Sequence, residues 1–181
     1  MTGLSTKGLT SDDAGMTLVE LIIYGAITAL IMSVLATLFA SSLSAEAQTR
    51  DRDTATGRSQ VIMSSLQSSI RNASELRVDG AVVRAVVATG TSEWSCEAWA
   101  LQGDRLLHRT SSSAIGMPGA SGTGWSPLAT GVSAAKTGSA FSISGRTLSV
   151  SLSVKAGTTI VPATGKILAQ AKQGGTATKC W

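Results

Sequence analysis

Read from its N-terminus, the chain changes its hydrophobic pattern twice. Residues 21–40, LIIYGAITALIMSVLATLFA, hold no charge and no proline, and Gly25 is their one glycine. Twenty residues at ~1.5 Å rise make a helix of roughly 30 Å, the thickness of a bilayer's hydrocarbon core. The run therefore predicts a continuous membrane-spanning helix. An ordinary secretory signal peptide has a shorter apolar region, ~7–15 residues, followed by a small-x-small cut. The ASSLSAEAQ stretch behind the run contains an alanine-bearing cut of that kind and leaves this alternative open.

Past residue 43 the apolar positions thin out to a helical period. Val61, Ile62, Leu66, Ile70 and Ala73 recur at three- and four-residue spacing, and Leu76 extends the stripe. Arg50, Arg52, Arg58 and Arg71 fall mostly outside it. This predicts an amphipathic helix over 44–78 whose apolar face covers a globular head. Gly57 marks a kink, or a loop near 51–58 that divides the segment into two helices.

After Gly80 the period drops to two. Residues 82–87, VVRAVV, are rich in β-branched side chains, and strands over 93–101 and 105–110 flank a turn at Gln102-Gly103-Asp104. Further strands are predicted over 140–144 and 147–154, joined at Gly145-Arg146, with a last one over 167–172. The Gly/Ser-rich residues 111–124 read as a surface loop. The expected layout is α+β: residues 1–15 ahead of the apolar helix, 16–43 as that helix, 44–78 as the amphipathic helix, and 79–181 as an antiparallel β-rich head.

Composition narrows the chemistry. Charged residues are 14% of the chain, against ~25% in an average domain, which argues against a coiled-coil rod or a charged disordered tail. One histidine and two cysteines leave no Cys/His cluster for zinc. A histidine-dependent triad rests on His108 alone, and no acid or serine stands near it at a spacing that suggests one. There is no phosphate loop, no pair of catalytic carboxylates and no metal set, so neither an enzymatic activity nor a cofactor is expected.

Glu20 is out of place at the head of an apolar run. A carboxylate in lipid costs on the order of 3 kcal/mol unless it is paired, so the residue either marks a helix end that reaches water or has a partner. Its surroundings decide for the partner. The string Gly15-Met16-Thr17-Leu18-Val19-Glu20-Leu21 resembles the prepilin peptidase site of type IV pilins and type II secretion pseudopilins. In that family a short polar leader ends in glycine, a hydrophobic residue follows, and an acid stands five positions after the cut at the opening of the apolar helix. The resemblance implies cleavage between Gly15 and Met16, N-methylation of Met16, and an assembly role for Glu20. A glycine lets a protease approach the scissile carbonyl closely, and the new α-amine, with a pKa near ~8, is largely cationic. The Glu20 carboxylate of one subunit then pairs with the Met16 amine of its neighbour.

Two features depart from the family. Asp12 and Asp13 stand where basic residues are usual, with Lys7 the one basic side chain of the leader. Arg50, Arg52 and Arg58 follow the span, so charge counting favours the opposite orientation. The cleavage motif requires a cytoplasmic leader and outweighs the count. The head is similar, more loosely, to PilW-like and J-type minor pilins. That likeness lies in the strand–turn–strand Trp99-Ala100-Leu101-Gln102-Gly103-Asp104-Arg105-Leu106-Leu107-His108-Arg109, in Pro127-Leu128-Ala129-Thr130-Gly131-Val132, and in Phe141-Ser142-Ile143. The family implies a single-pass membrane protein with an extracytoplasmic head that joins a pilus or cell-surface filament. Its partners would be a prepilin peptidase, other pilin subunits and membrane lipids.

In that oxidising setting Cys96 and Cys180 favour a disulfide, the alternative being two buried thiols. Trp94 and Cys96 share one face of their strand and Trp99 and Leu101 the other. The tryptophans suit core packing, Trp181 drawn in by Cys180, although an exposed one would suit a ligand platform. Without the leader the chain holds 14 Lys+Arg against 9 Asp+Glu, a net +5. That mild excess, with no clustered basic stripe, gives little support to the alternative of a DNA-contacting competence subunit. A signal-anchored extracytoplasmic hydrolase is the other alternative.

Overall fold

A computed structural model describes residues 16–90, 93–135, 138–171 and 179–181. Gly15, on which the expected cut depends, lies outside the described residues. The chain divides into two units, Met1–Ala45 and Glu46–Trp181. One helix, α1 (Leu18–Arg71), supplies all the regular structure described in the first unit and opens the second. The expected break at Gly57 is absent: α1 runs through it, and no atom approaches the space a Cβ would occupy there. Buried neighbours on either side, Ala55 and Ser59, hold that turn against the head and offset the ~1 kcal/mol that a helical glycine costs.

The amphipathic stripe is real but ends earlier than its period suggests. Ala55, Ser59, Ile62, Leu66 and Ile70 are its buried positions, while Val61 is half exposed. The expected helix over 44–78 stops at Arg71. Asn72 closes it, with its N–H on the Ser69 carbonyl at 3.1 Å and its side-chain amide on the Ser68 carbonyl at 3.0 Å. Ala73–Asp79 is not helix but the first strand, β1, so the sheet begins before residue 79. Ala73 and Leu76, three apart, share a face in a helix but not in a regular strand; a register shift between Ala73 and Glu75 lets both reach the core from β1. Pairing of β1 with β2 (Val82–Ala88), from Asp79 opposite Val82 to Ala73 opposite Val87, selects the strand.

The first sheet is an antiparallel meander in which β1 and β2 are followed by β3 (Trp94–Gln102), β4 (Arg105–Ser111) and β5 (Ser126–Thr130), in sequence order. Both of its faces are covered, which explains why β2 is buried at every position from Val82 to Val87, Arg84 included. Val83, Ala85, Val87, Trp99 and Leu106 face the core shared with α1 and the second sheet. Val82, Val86, Cys96, Ala98, Ala100 and Leu107 form a smaller core with Ile115, Trp125 and Cys180. The expected surface loop after β4 is therefore more than surface: Ile115 within it is buried.

In the second sheet, β8 (Thr147–Ala156) pairs with β6 (Val132–Ala134) and β7 (Phe141–Ser144), and also with β9 (Thr159–Leu168). Strand β8 alternates strictly, burying Leu148, Val150, Leu152 and Val154. The last strand lies earlier than the expected 167–172. Ala169 and Gln170 have left it and hydrogen-bond to the carbonyls of Arg146 and Arg71, both at 2.9 Å, and residue 172 is outside the described residues. Pro162 is tolerated in β9 because its carbonyl side faces α1, where Ser59 Oγ donates to it at 3.1 Å; its missing N–H costs the ladder with β8 nothing. Further along, Asp51 accepts the Thr158 N–H at 3.3 Å. The helix thus covers a sheet edge that would otherwise invite pairing with other chains.

Candidate assembly site and the polar contacts of the head

Thr17 stands immediately before α1 and acts as its N-cap: its hydroxyl accepts the Glu20 N–H at 3.3 Å. Thr17 and Glu20 have the spacing of a capping box, and an acid in the first turn also answers the helix dipole. The Glu20 carboxylate turns along the helix, where the Tyr24 hydroxyl donates to Oε1 at 3.2 Å. An ionised carboxylate offers about four acceptor positions, so most of its capacity is unused by this hydrogen bond. The same residues thus serve a local purpose, starting the helix, and leave a charge at its mouth. Met16 is 62% exposed beside it.

Every residue from 16 to 50 is exposed. Three aliphatic hydroxyls lie within the apolar run and are satisfied by the helix itself: Thr28 donates to the Tyr24 carbonyl, Ser33 to Leu30 and Thr37 to Val34, each at 2.8 Å, and Ser41 just past the run donates to Thr37 at 2.9 Å. Such back-bonding lets these hydroxyls enter hydrocarbon without becoming orphaned donors. The helix is long and apolar enough to cross a membrane, and a sheet unit follows it, as in a single-pass protein.

In the head, Cys96 and Cys180 are joined as a disulfide, with Cα atoms 5.3 Å apart. The Ile115 N–H on the Cys180 carbonyl, at 3.0 Å, fastens the same segment to the loop after β4. The tryptophans divide as the strand alternation predicts: Trp94 and Cys96 lie in the smaller core, Trp99 and Leu101 in the larger. Trp181 departs from expectation. It is 37% exposed, because only its neighbour Cys180 is held inside.

The fold also assembles a polar cluster that no local spacing announces. Glu97 on β3 lies beside His108 on β4, with Oε2 3.2 Å from Nε2, and accepts the hydroxyl of Ser69 from α1 at 2.8 Å. Trp99 stacks on His108 with ring centroids 5.0 Å apart and donates its indole N–H to Ser65 at 3.2 Å. Serine, acid and histidine are all present but in the wrong order for nucleophilic catalysis. Ser69 donates its hydrogen bond to the carboxylate, whereas an activated serine donates to histidine. The cluster fastens α1 to the sheet. Among the described residues no group of three His, Cys, Asp or Glu side chains stands close enough to hold a metal ion.

Burial pushes the Glu97 carboxyl up, but the hydrogen bonds from His108 and Ser69 and the charge of His108 outweigh it and hold the carboxyl below its ordinary 4.5. The unfolded chain therefore binds more protons than the folded one as pH falls below that value, and the stability Glu97 contributes is lost as pH falls through its folded pKa. Thermal unfolding followed from pH 6 to pH 2 should show a weaker acid dependence in Glu97→Gln than in the parent. Identical slopes would mean that the cluster contributes nothing to acid sensitivity.

No protein-family model, curated protein or solved structure matches this chain.

Proposed function

We propose that this chain is a minor pilin or pseudopilin: a subunit cut by a prepilin peptidase between Gly15 and Met16, methylated at Met16, and assembled into a type IV pilus or type II secretion-like filament or its tip complex. The observation that carries this reading is the Gly15-Met16-Thr17-Leu18-Val19-Glu20 string at the mouth of a helix whose apolar residues are exposed from the first turn onward. An exposed apolar surface of that extent needs a cover. Lipid supplies it before assembly, and neighbouring helices supply it in a filament. The head, closed by a disulfide, stays outside the cytoplasm.

Glu20 and Met16 supply the register. A helix leaving lipid for a filament core exchanges water-accessible ends for a low-dielectric surrounding. An amine and a carboxylate buried there together are tolerable, and one left alone costs about 3–5 kcal/mol. Apolar contacts between smooth helices slide readily, whereas a charge pair fixes one position.

The test is co-expression of the full chain with a prepilin peptidase. The product should begin at Met16 and be heavier by one methyl group, and Gly15→Val should block the cut. Glu20→Gln keeps an acceptor for Tyr24 and a side chain suited to the cap while removing the charge. It should be inserted and cut as the parent is, yet be lost from sheared filaments, with roughly 100-fold or greater depletion expected from the penalty above. A mature N-terminus near Ser41 or Ala45 would establish an ordinary signal peptide. Normal incorporation of Glu20→Gln would reduce Glu20 to a helix-capping residue.

A further inference from the structure

The hairpin of β1 and β2 sets Arg77 directly opposite Arg84. Like charges facing each other across adjacent strands repel, and Asp79 answers both. Its carboxylate accepts Arg77 Nε at 3.2 Å on Oδ1 and forms an ion pair with Arg84 Nη1 through Oδ2. Desolvation pushes the Asp79 carboxyl up, but the hydrogen bonds and charges of the two arginines prevail and hold it below the usual range, so it remains an acceptor. These three residues, with Ile115, Met117 and Trp181, line an open surface depression of about 380 Å³.

The two arginines differ. Arg84 is 5% exposed and is fixed in the wall, with Nη2 on Met117 Sδ at 3.1 Å. The Arg77 side chain is half exposed, and its Nη groups hydrogen-bond to no described residue. A guanidinium end of this kind matches a carboxylate bidentately. Two guanidiniums against one carboxylate leave a single positive charge, which suits a monoanion better than a phosphate dianion brought beside Asp79. The rest of the lining is largely apolar and includes the part-exposed Trp181 and the exposed Met117. Asp79 retains acceptor capacity for hydroxyl donors next to the guanidinium.

From this juxtaposition we propose that the depression binds a hydroxylated ring carboxylate, a uronic acid. Its carboxylate would lie on Arg77, its ring face on Trp181 and Met117, and a hydroxyl on Asp79. The free sugar acid and a residue of an acidic polysaccharide share this chemistry. The site does not depend on filament membership.

The experiment uses the full chain in detergent micelles with 15N-labelled tryptophan, the Trp181 indole signal being assigned by Trp181→Phe. Galacturonate should shift that signal saturably. Galactose, which lacks the carboxylate, should not, and benzoate and inorganic phosphate should bind at least ten-fold more weakly. Arg77→Gln, a change at an exposed position, should weaken galacturonate at least ten-fold while leaving the thermal midpoint unchanged. A galacturonate trimer binding more tightly than the monomer supports a polysaccharide source; equal affinity supports the free acid. The proposal is overturned by the absence of a saturable shift, by galactose, benzoate or phosphate binding as well as galacturonate, or by unaltered affinity in Arg77→Gln.

Discussion

Reduction of the Cys96–Cys180 bridge should lower the stability of the head by up to about 4.6 kcal/mol, the chain-entropy value for the 84 residues it spans. For a unit of this size that corresponds to a fall in thermal midpoint of roughly 10–20 °C. The effect is large because the bridge ties a distant segment to the middle of a sheet. Cys96 lies on β3, paired with Val86 on one side and Ser111 on the other, and both sulfurs are buried in the smaller core. Reduction isolates the cross-link, since two thiols remain in the same places. Cys96→Ser should cost more, because it also leaves a hydroxyl in an apolar site, a further ~1–3 kcal/mol if that hydroxyl finds no partner. Thermal unfolding of the full chain with and without reductant reads the first effect, and the serine variant reads the second. Two titratable thiols in protein purified without reductant, or an unchanged midpoint after reduction, would refute it.

Trp99→Ala should destabilise the head by about 3–5 kcal/mol. The side chain is fully buried and joins three elements: it belongs to β3, stacks on His108 of β4, and donates to Ser65 of α1. Truncation therefore opens a cavity and orphans the Ser65 contact at the same time. Trp99→Phe keeps much of the volume and loses the indole N–H, so it should cost well under half as much. Urea unfolding of both variants, with an unchanged denaturant slope, checks the ordering. A loss below about 1 kcal/mol for Trp99→Ala would show that the helix is held by its aliphatic stripe alone, since core truncations of this kind cost several times more.

The two variants probe different ways of closing the same unit. The disulfide restricts the unfolded chain, whereas Trp99 acts through packing in the folded one. They lie on opposite faces of β3, in separate cores, so their effects should be nearly additive.

Features that depend on near neighbours were legible in the residues. The apolar run of 21–40 needs only its length and lack of charge to be read as a span. Turns at Gly103 and Gly145 follow from backbone at φ +60° and +58°, which glycine adopts without strain, and β8 declares itself by alternation.

Tertiary structure decided the rest. The three-residue spacing of Ala73 and Leu76 fits a helix and not a regular strand, and only the ladder with β2, whose register shifts between Ala73 and Glu75, makes β1 a strand from which both side chains reach the core. Pro162 argues against a strand locally, and only its position on the side of β9 facing α1 makes it harmless. The contact of Glu97 with Ser69 joins residues 28 apart in sequence, and Trp181 lines the same depression as Arg77 and Arg84 because Cys180 is pinned to β3. The physical reason is common to all four. A period of two or of 3.6 records which side chains share a face, but not which distant segment will cover that face. That choice is made by burial and pairing free energies, which exist only once the partners have met.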